Sequence, residues 1–360
     1  MERRLIVCSG VFLGLLGVVL VKFGNPANMG VCVACFYRDI AGGLGLHRTA
    51  AVQYLRPEIS GFILGSFLIS LFTGEFRARG GSSPMLRFLL GFTVMIGALV
   101  FLGCPLRMLL RLSAGDLNAL VGLFGFIAGI FAGVFFLRRG FSLGRSVNLV
   151  RANGLSIPAV AIILVLLAVV APAFIFFSES GPGSFRAPFA VSLAAGLLIG
   201  IVVQRSRLCQ AGCFRDLFLL KDPHLLYGSL AIFITALIFN LGFGYFRLGF
   251  SSQPVAHTDG IWNFLGLALV GLGSTLLGGC PLRQTVMAGE GDADAGMSFL
   301  GMLVGAAFAH NFGLASSAAG ATPNGKWGVV LGFMFLLSIG FTAVLPKIKV
   351  PLKGEVSYDV

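Results

Sequence analysis

Charge is what this sequence has least of. Asp, Glu, Lys and Arg together make up 11% of its 360 residues, where a soluble domain carries about 25%. With 57% of the residues hydrophobic, the chain cannot clothe a water-facing surface, and a soluble globular fold is excluded. No Walker loop and no catalytic Ser/His/Asp arrangement is present, so no catalytic residue and no cofactor is assigned, and nucleotide-driven work would need a partner's ATPase. There is no basic soluble domain either; the longest soluble stretches run to roughly 20 residues. The formal net charge of +12 therefore reads as inside-positive bias and contact with anionic membrane lipid, not as nucleic-acid binding.

What remains is apolar and periodic. Ten uncharged runs stand at roughly 5–21, 59–74, 88–103, 117–137, 157–177, 187–204, 225–245, 260–278, 295–313 and 327–345. Each approaches the length of about 20 residues that a membrane span needs. The first run follows Arg3 and Arg4 but leads to no small-residue cleavage site, so it reads as a retained helix. Basic residues set the orientation. With the N-terminus cytoplasmic, the inside loops hold Arg77, Arg79, Arg87, Arg138, Arg139, Arg145, Arg151, Arg205, Arg207 and Lys221, and the tail holds Lys347, Lys349 and Lys353. The outside loops hold Arg186 and Arg247. Lys22, Arg38, Arg48 and Arg56 break this pattern, which suggests that 22–56 is a re-entrant segment. The expectation is a multi-pass membrane protein with both termini in the cytoplasm.

Two motifs occur twice. Gly103-Cys104-Pro105-Leu106-Arg107 returns as Gly279-Cys280-Pro281-Leu282-Arg283, 176 positions on. Cys32-Val-Ala-Cys35-Phe-Tyr-Arg38-Asp39 matches Cys209-Gln-Ala-Gly-Cys213-Phe-Arg215-Asp216, 177 positions on. Six of the seven cysteines fall in these motifs; Cys8 reads as a small apolar residue. The expected fold is an all-α polytopic membrane protein. It is an inverted repeat of two five-span units, with four short re-entrant helices meeting near the midplane. The boundaries are 1–180 for the first copy, 181–346 for the second and 347–360 for a cytoplasmic tail.

Proline suits the first turn of a helix, which puts Cys104 and Cys280 at N-caps. There the free N–H groups favour an anion and a thiolate. An arginine three residues on shares the helical face. Arg38-Asp39 and Arg215-Asp216 are expected to pair, because a lone arginine at membrane depth is costly. The candidate pathway thiols are Cys32, Cys35, Cys104, Cys209, Cys213 and Cys280. Arg38, Arg107, Arg215 and Arg283 would attract an anion or position helix tips. Repeated soft sulfur suggests a substrate that itself contains sulfur or selenium. A zinc or copper(I) site is a competing reading, but arginine one turn after each cysteine repels a cation, and no metal is assigned. Redox-active Cys-x-x-Cys is another, as is structural cysteine. Asn240, His310 and Asn311 are polar residues in apolar runs that read equally as interhelical hydrogen bonds. The acidic run Glu290, Asp292 and Asp294 reads as a solvated cluster at a helix start.

These motifs resemble the YeeE/YedE family of bacterial inner-membrane proteins, over about residues 5–345. Gly24-Asn25-Pro26-Ala27-Asn28-Met29-Gly30 with Cys32 and Cys35 is similar to the branch linked with selenium metabolism. The resemblance implies an hourglass fold and a thiosulfate-like anion, or a selenium compound, relayed by thiols. The relay would use Cys32 or Cys35, Cys104, Cys209 or Cys213, and Cys280. It also implies a separate TusA-like cytoplasmic sulfur carrier as partner. The alternative functions are a membrane thiol enzyme or sulfurtransferase forming a persulfide or selenosulfide, and an accessory subunit for selenoenzyme maturation.

Overall fold

The computed structural model describes residues 2–344. These form fourteen α-helices: α1 (Glu2–Lys22), α2 (Val33–Gly43), α3 (Pro57–Phe72), α4 (Pro84–Phe101), α5 (Pro105–Ser113), α6 (Leu117–Arg138), α7 (Arg151–Val170), α8 (Phe189–Ser206), α9 (Gln210–Leu220), α10 (His224–Gly242), α11 (Gly260–Leu277), α12 (Pro281–Gly289), α13 (Ala293–Asn311) and α14 (Pro323–Val344). A two-residue strand, β1 (Arg79–Gly80), pairs antiparallel with β2 (Val147–Asn148). The expected tail, with Lys347, Lys349 and Lys353, lies outside the described residues.

Nine helical stretches among the described residues are long and apolar enough to cross a membrane. The fold is thus all-α and polytopic. Every apolar run of the sequence falls on a long helix, but α13 is not among the nine; Asp294, His310 and Asn311 at its ends lower its apolar character. The run expected at 157–177 is displaced. Pro172 disfavours helical backbone at the residue before it, so α7 stops at Val170 and Ala171 turns left-handed at φ 46°.

Local chemistry sets the other boundaries. Prolines occupy the first turn of α3, α4, α5 and α12. Asp116 and Asp292, equivalent in the two copies, cap α6 and α13 by accepting backbone N–H groups of Asn118 and Ala295.

Helix contacts come in matched pairs. α1 packs on α10 as α8 packs on α3; α6 packs on α11 as α13 packs on α4. The copies α4 and α11 also touch. Val94, Gly97 and Phe101 meet Gly273, Val270 and Gly266 respectively, so the two run antiparallel. Small residues allow this close approach. α7 and α14 depart from the pattern: α7 lies on α3, α12 and α13, whereas α14 lies on α4, α6 and α11.

The connections gather at two ends. At the basic end, backbone N–H groups of Arg77 and Arg79 donate to Glu290 O and Gly291 O, and Leu149 N–H donates to Ala78 O. At the opposite end, Arg247 N–H donates to Ala114 O, Phe176 N–H to Gly43 O and Ser316 N–H to Leu99 O. The acidic run sits at the basic end and is not solvated as the sequence suggests. Glu290 and Asp292 are buried, and the run binds Arg79, Arg87, Arg207 and Arg283. Four guanidiniums repay the cost of withdrawing these carboxylates from water.

Candidate functional site

Four short helices open on motif cysteines: α2 on Cys32, α5 on Cys104, α9 on Cys209 and α12 on Cys280. At α2 and α9 the thiol is the cap. Cys32 Sγ accepts the Cys35 N–H at 3.3 Å, and Cys209 Sγ accepts the Gly212 N–H at 3.2 Å. At α5 and α12 the cysteine side chain makes no cap bond, and proline follows.

The thiols form two stations, each within one copy. In the first, the Cys104 thiol is within hydrogen-bonding reach of Cys32, and Arg107 Nη1 lies 3.7 Å from Cys35 Sγ. In the second, the Cys280 N–H donates to Cys209 Sγ at 3.3 Å and the two thiols are in reach of each other. All five are buried, and all seven cysteines are free thiols. Motif symmetry suggests that Cys104 and Cys280 adjoin directly. That contact is not among these; each finds its partner in its own copy. Between these short helices the copies meet at Tyr37 Oη and Thr285 Oγ1, 2.8 Å apart, which join α2 to α12.

Cys213 stands apart. At a constant offset of 177, Cys35 aligns with Gly212 and Cys213 with Phe36, so the second thiols of the two pairs are not equivalent. Cys213 donates to Gln210 O at 3.2 Å and neighbours Ser229. The first station holds three thiols and the second two.

The four candidate arginines divide by role. Arg107, fully buried, donates to the carbonyls of Asn28, Leu102, Pro254 and Val255. It ties the α5 tip to two loops and to the end of α4. Arg283 is held by Glu290 at 2.7 Å. Arg38 and Arg215 pair with the aspartates that follow them, at 2.9 and 2.8 Å. Sequence reading missed Arg56 and Arg111. Arg56 is a second partner for Asp39, at 2.7 Å, and lies over the rings of Phe36 and Tyr54. Asp39 thus serves two buried arginines, leaving one positive charge in excess. Arg111 binds Asp116 at 2.7 Å, five residues on, a spacing that lies outside the three- and four-residue pairs of a helix face. Asn240 donates to Ser113 Oγ, Asn311 to Leu46 O, and His310 stacks on His47. These three are interhelical or helix–loop contacts away from the thiols. Among the described residues, no group of three or more His, Cys, Asp or Glu is arranged to hold a metal ion.

Each end has a cavity beside one station. At the opposite end a cavity of about 370 Å³ is lined by Asn28 and Pro254, whose carbonyls Arg107 holds, together with Asn240, Arg247 and Gln253. At the basic end a cavity of about 380 Å³ is lined by Arg87, Arg215 and Gly278; Gly278 is two residues from Cys280. The copies differ here. Leu102, the counterpart of Gly278, is buried and left-handed at φ 64°, whereas Gly278 takes φ 88° with open space where a Cβ would stand.

Residues 205–350 match the Sulphur transport family model. Two curated relatives are similar over a shorter segment. The thiosulfate transporter TsuA of Spirochaeta thermophila is 37% identical over 99 residues, 28% of this chain and 29% of the relative. Thiosulfate transporter TsuA of Escherichia coli is 32% identical over 100 residues, 28% of each chain. The aligned segment thus spans less than a third of either relative. The matched region contains Cys209, Cys213 and Cys280, and its motifs stand again around Cys32 and Cys104: over this part of its length the chain is similar to the Sulphur transport family.

Proposed function

We propose that this protein carries a small sulfur-bearing anion, of the thiosulfate kind, across a bacterial inner membrane. The anion passes from the first thiol station to the second. The observation that carries the reading is the pairing of each buried station with a cavity at one end of the bundle. In this reading residues 1–180 and 181–346 are copies inserted in opposite senses, the basic end faces the cytoplasm and 347–360 form a cytoplasmic tail.

The chemistry follows from the donors. A thiol is a weak hydrogen-bond donor with a polarizable sulfur, so it interacts with a soft terminal sulfur without trapping it. No covalent step is needed. The excess positive charge around Asp39, and Arg215 at the basic mouth, draw the anion. Arg107 and Arg283 hold the α5 and α12 tips. At the basic end a separate TusA-like carrier would take the sulfur onward. The same soft donors suit a selenium analogue.

Purified protein in vesicles should take up labelled thiosulfate. A hydrogen bond to a charged group contributes roughly 1.5–3 kcal/mol, so Cys104→Ala and Cys280→Ala should each cut uptake about tenfold or more. Unchanged uptake in both would remove the relay. A selenium oxyanion that competes equally would widen the substrate class. A stable persulfide on the purified protein, without flux, would favour thiol-transfer chemistry instead.

A further inference from the structure

The two thiol stations differ in what surrounds them. At the constant offsets of 176 and 177 residues, Ser274 replaces Ala98, Thr275 replaces Leu99, Gln284 replaces Met108, Thr285 replaces Leu109 and Gln210 replaces Val33. Five apolar positions of the first copy are polar in the second, and all five polar side chains are buried. Thr275 and Thr285 satisfy their hydroxyls on Gly271 O and Pro281 O. The other three keep an open atom, although Gln210 Oε1 accepts from Ser229 Oγ at 2.8 Å and Gln284 Nε2 donates to Leu277 O at 3.3 Å. Ser274 Oγ, Gln210 Nε2 and Gln284 Oε1 have no partner in the protein.

Gln210 and Gln284 flank Cys209 and Cys280 in the chain, and the Ser274 backbone holds the turn that leads to Cys280. Gln210 follows Cys209, and its backbone N–H is within reach of the Cys280 thiol. Ser274 O accepts the Gly279 N–H at 2.9 Å. The Gln284 amide would stand 3.2 Å from a Cβ at Gly279. A buried hydroxyl or amide left unmatched costs about 1–3 kcal/mol. Three such groups in the segments that carry one thiol pair, with none among their apolar counterparts, mark a site completed by a ligand.

We propose that the second station binds the oxygen-bearing end of the substrate. Gln210 Nε2 and Ser274 Oγ donate to oxyanion oxygens, and Gln284 Oε1 accepts a thiol S–H. The protein would thereby select sulfur oxyanions over oxygen-free sulfur anions such as hydrosulfide. This rests on the transport reading for its substrate class, but it concerns binding and is tested as binding.

The test exchanges residues between copies. Gln210→Val with Ser274→Ala, and Gln284→Met separately, install side chains that the fold already accepts at the matching positions. Thiosulfate and hydrosulfide affinities are measured on purified protein in detergent, beside the substrate-free melting temperature. The expected result is thiosulfate affinity weakened about tenfold by the double substitution, hydrosulfide affinity unchanged, and a substrate-free melting temperature equal or higher. Unchanged thiosulfate affinity overturns the proposal, as does equal loss for both anions. Wild-type protein that binds no thiosulfate overturns both the proposal and the transport reading. Wild-type protein that binds thiosulfate as expected but carries none across vesicles overturns only the transport reading.

Discussion

Leu102 occupies a backbone shape that glycine takes freely and leucine does not. The left-handed conformation costs a residue with a Cβ roughly 1–2 kcal/mol. The carbonyl of Leu102 is gripped by Arg107, and its side chain is buried. Removing a buried leucine side chain costs about 2–5 kcal/mol, which exceeds the strain. Both Leu102→Ala and Leu102→Gly should therefore destabilise the protein. Leu102→Gly should be the milder by about 1 kcal/mol, because it alone relieves the backbone. Thermal unfolding in detergent checks the order; Leu102→Ala as the more stable variant would refute the strain argument. Arg107→Met should be harsher than either, since it leaves four carbonyls without their donor. None of this was legible from the motif alone. Arg107 and Arg283 stand in identical pentapeptides, and only the surroundings make one a clamp on carbonyls and the other a partner of Glu290.

Among the elements, glycine decides how near the helices come. A methyl group at Gly125 of α6 would overlap the Phe264 carbonyl of α11, and one at Gly129 the Ala268 carbonyl. Neither obstacle is a flexible side chain. Gly129→Ala should destabilise the protein by about 1–3 kcal/mol through overpacking, whereas Gly242→Ala, with open space around it, should not. Comparative melting of the two variants tests this. The long helices were readable because apolar length is a strong signal in a membrane chain. The four short helices were readable from proline and cysteine at their starts. What escaped the sequence was the partner of each element. The thiols of the motif helices meet within a copy, and one contact between motif helices of different copies, Tyr37 to Thr285, involves residues that differ between the copies and so carry no repeat signal.

Over the whole molecule, the basic end is fastened by charge. Glu75 accepts the Gln204 amide at 2.8 Å and the guanidiniums of Arg205 and Arg207 at 2.6 and 2.8 Å; Arg207 also reaches Glu290 at 2.8 Å. The Gln204 hydrogen bond, followed by the arginines, holds Glu75 below the usual carboxylate range. A depressed carboxylate stabilises the fold above its unfolded pKa, and that contribution is lost as pH falls through the depressed value. Melting temperature should therefore drop as the solution is acidified below about pH 4, and Glu75→Gln should flatten the drop. Because Glu75 is partly exposed, the effect is modest and shrinks in high salt. An acid profile identical in Glu75→Gln would show that the fastening lies elsewhere.

The antiparallel crossing of α4 and α11, with α6 and α13 alongside, has one more consequence. α4 and α11 run antiparallel, α6 lies on α11 and α13 lies on α4, so each of the two crossing helices has a matched neighbour. The neighbours of these four helices therefore do not tell the two ends apart. What separates one mouth from the other is written in side chains: Leu102 against Gly278, Cys35 against Gly212, Val33 against Gln210. What distinguishes the two ends of this crossing lies in a few diverged positions, and exchanging them between the copies would exchange what each end presents.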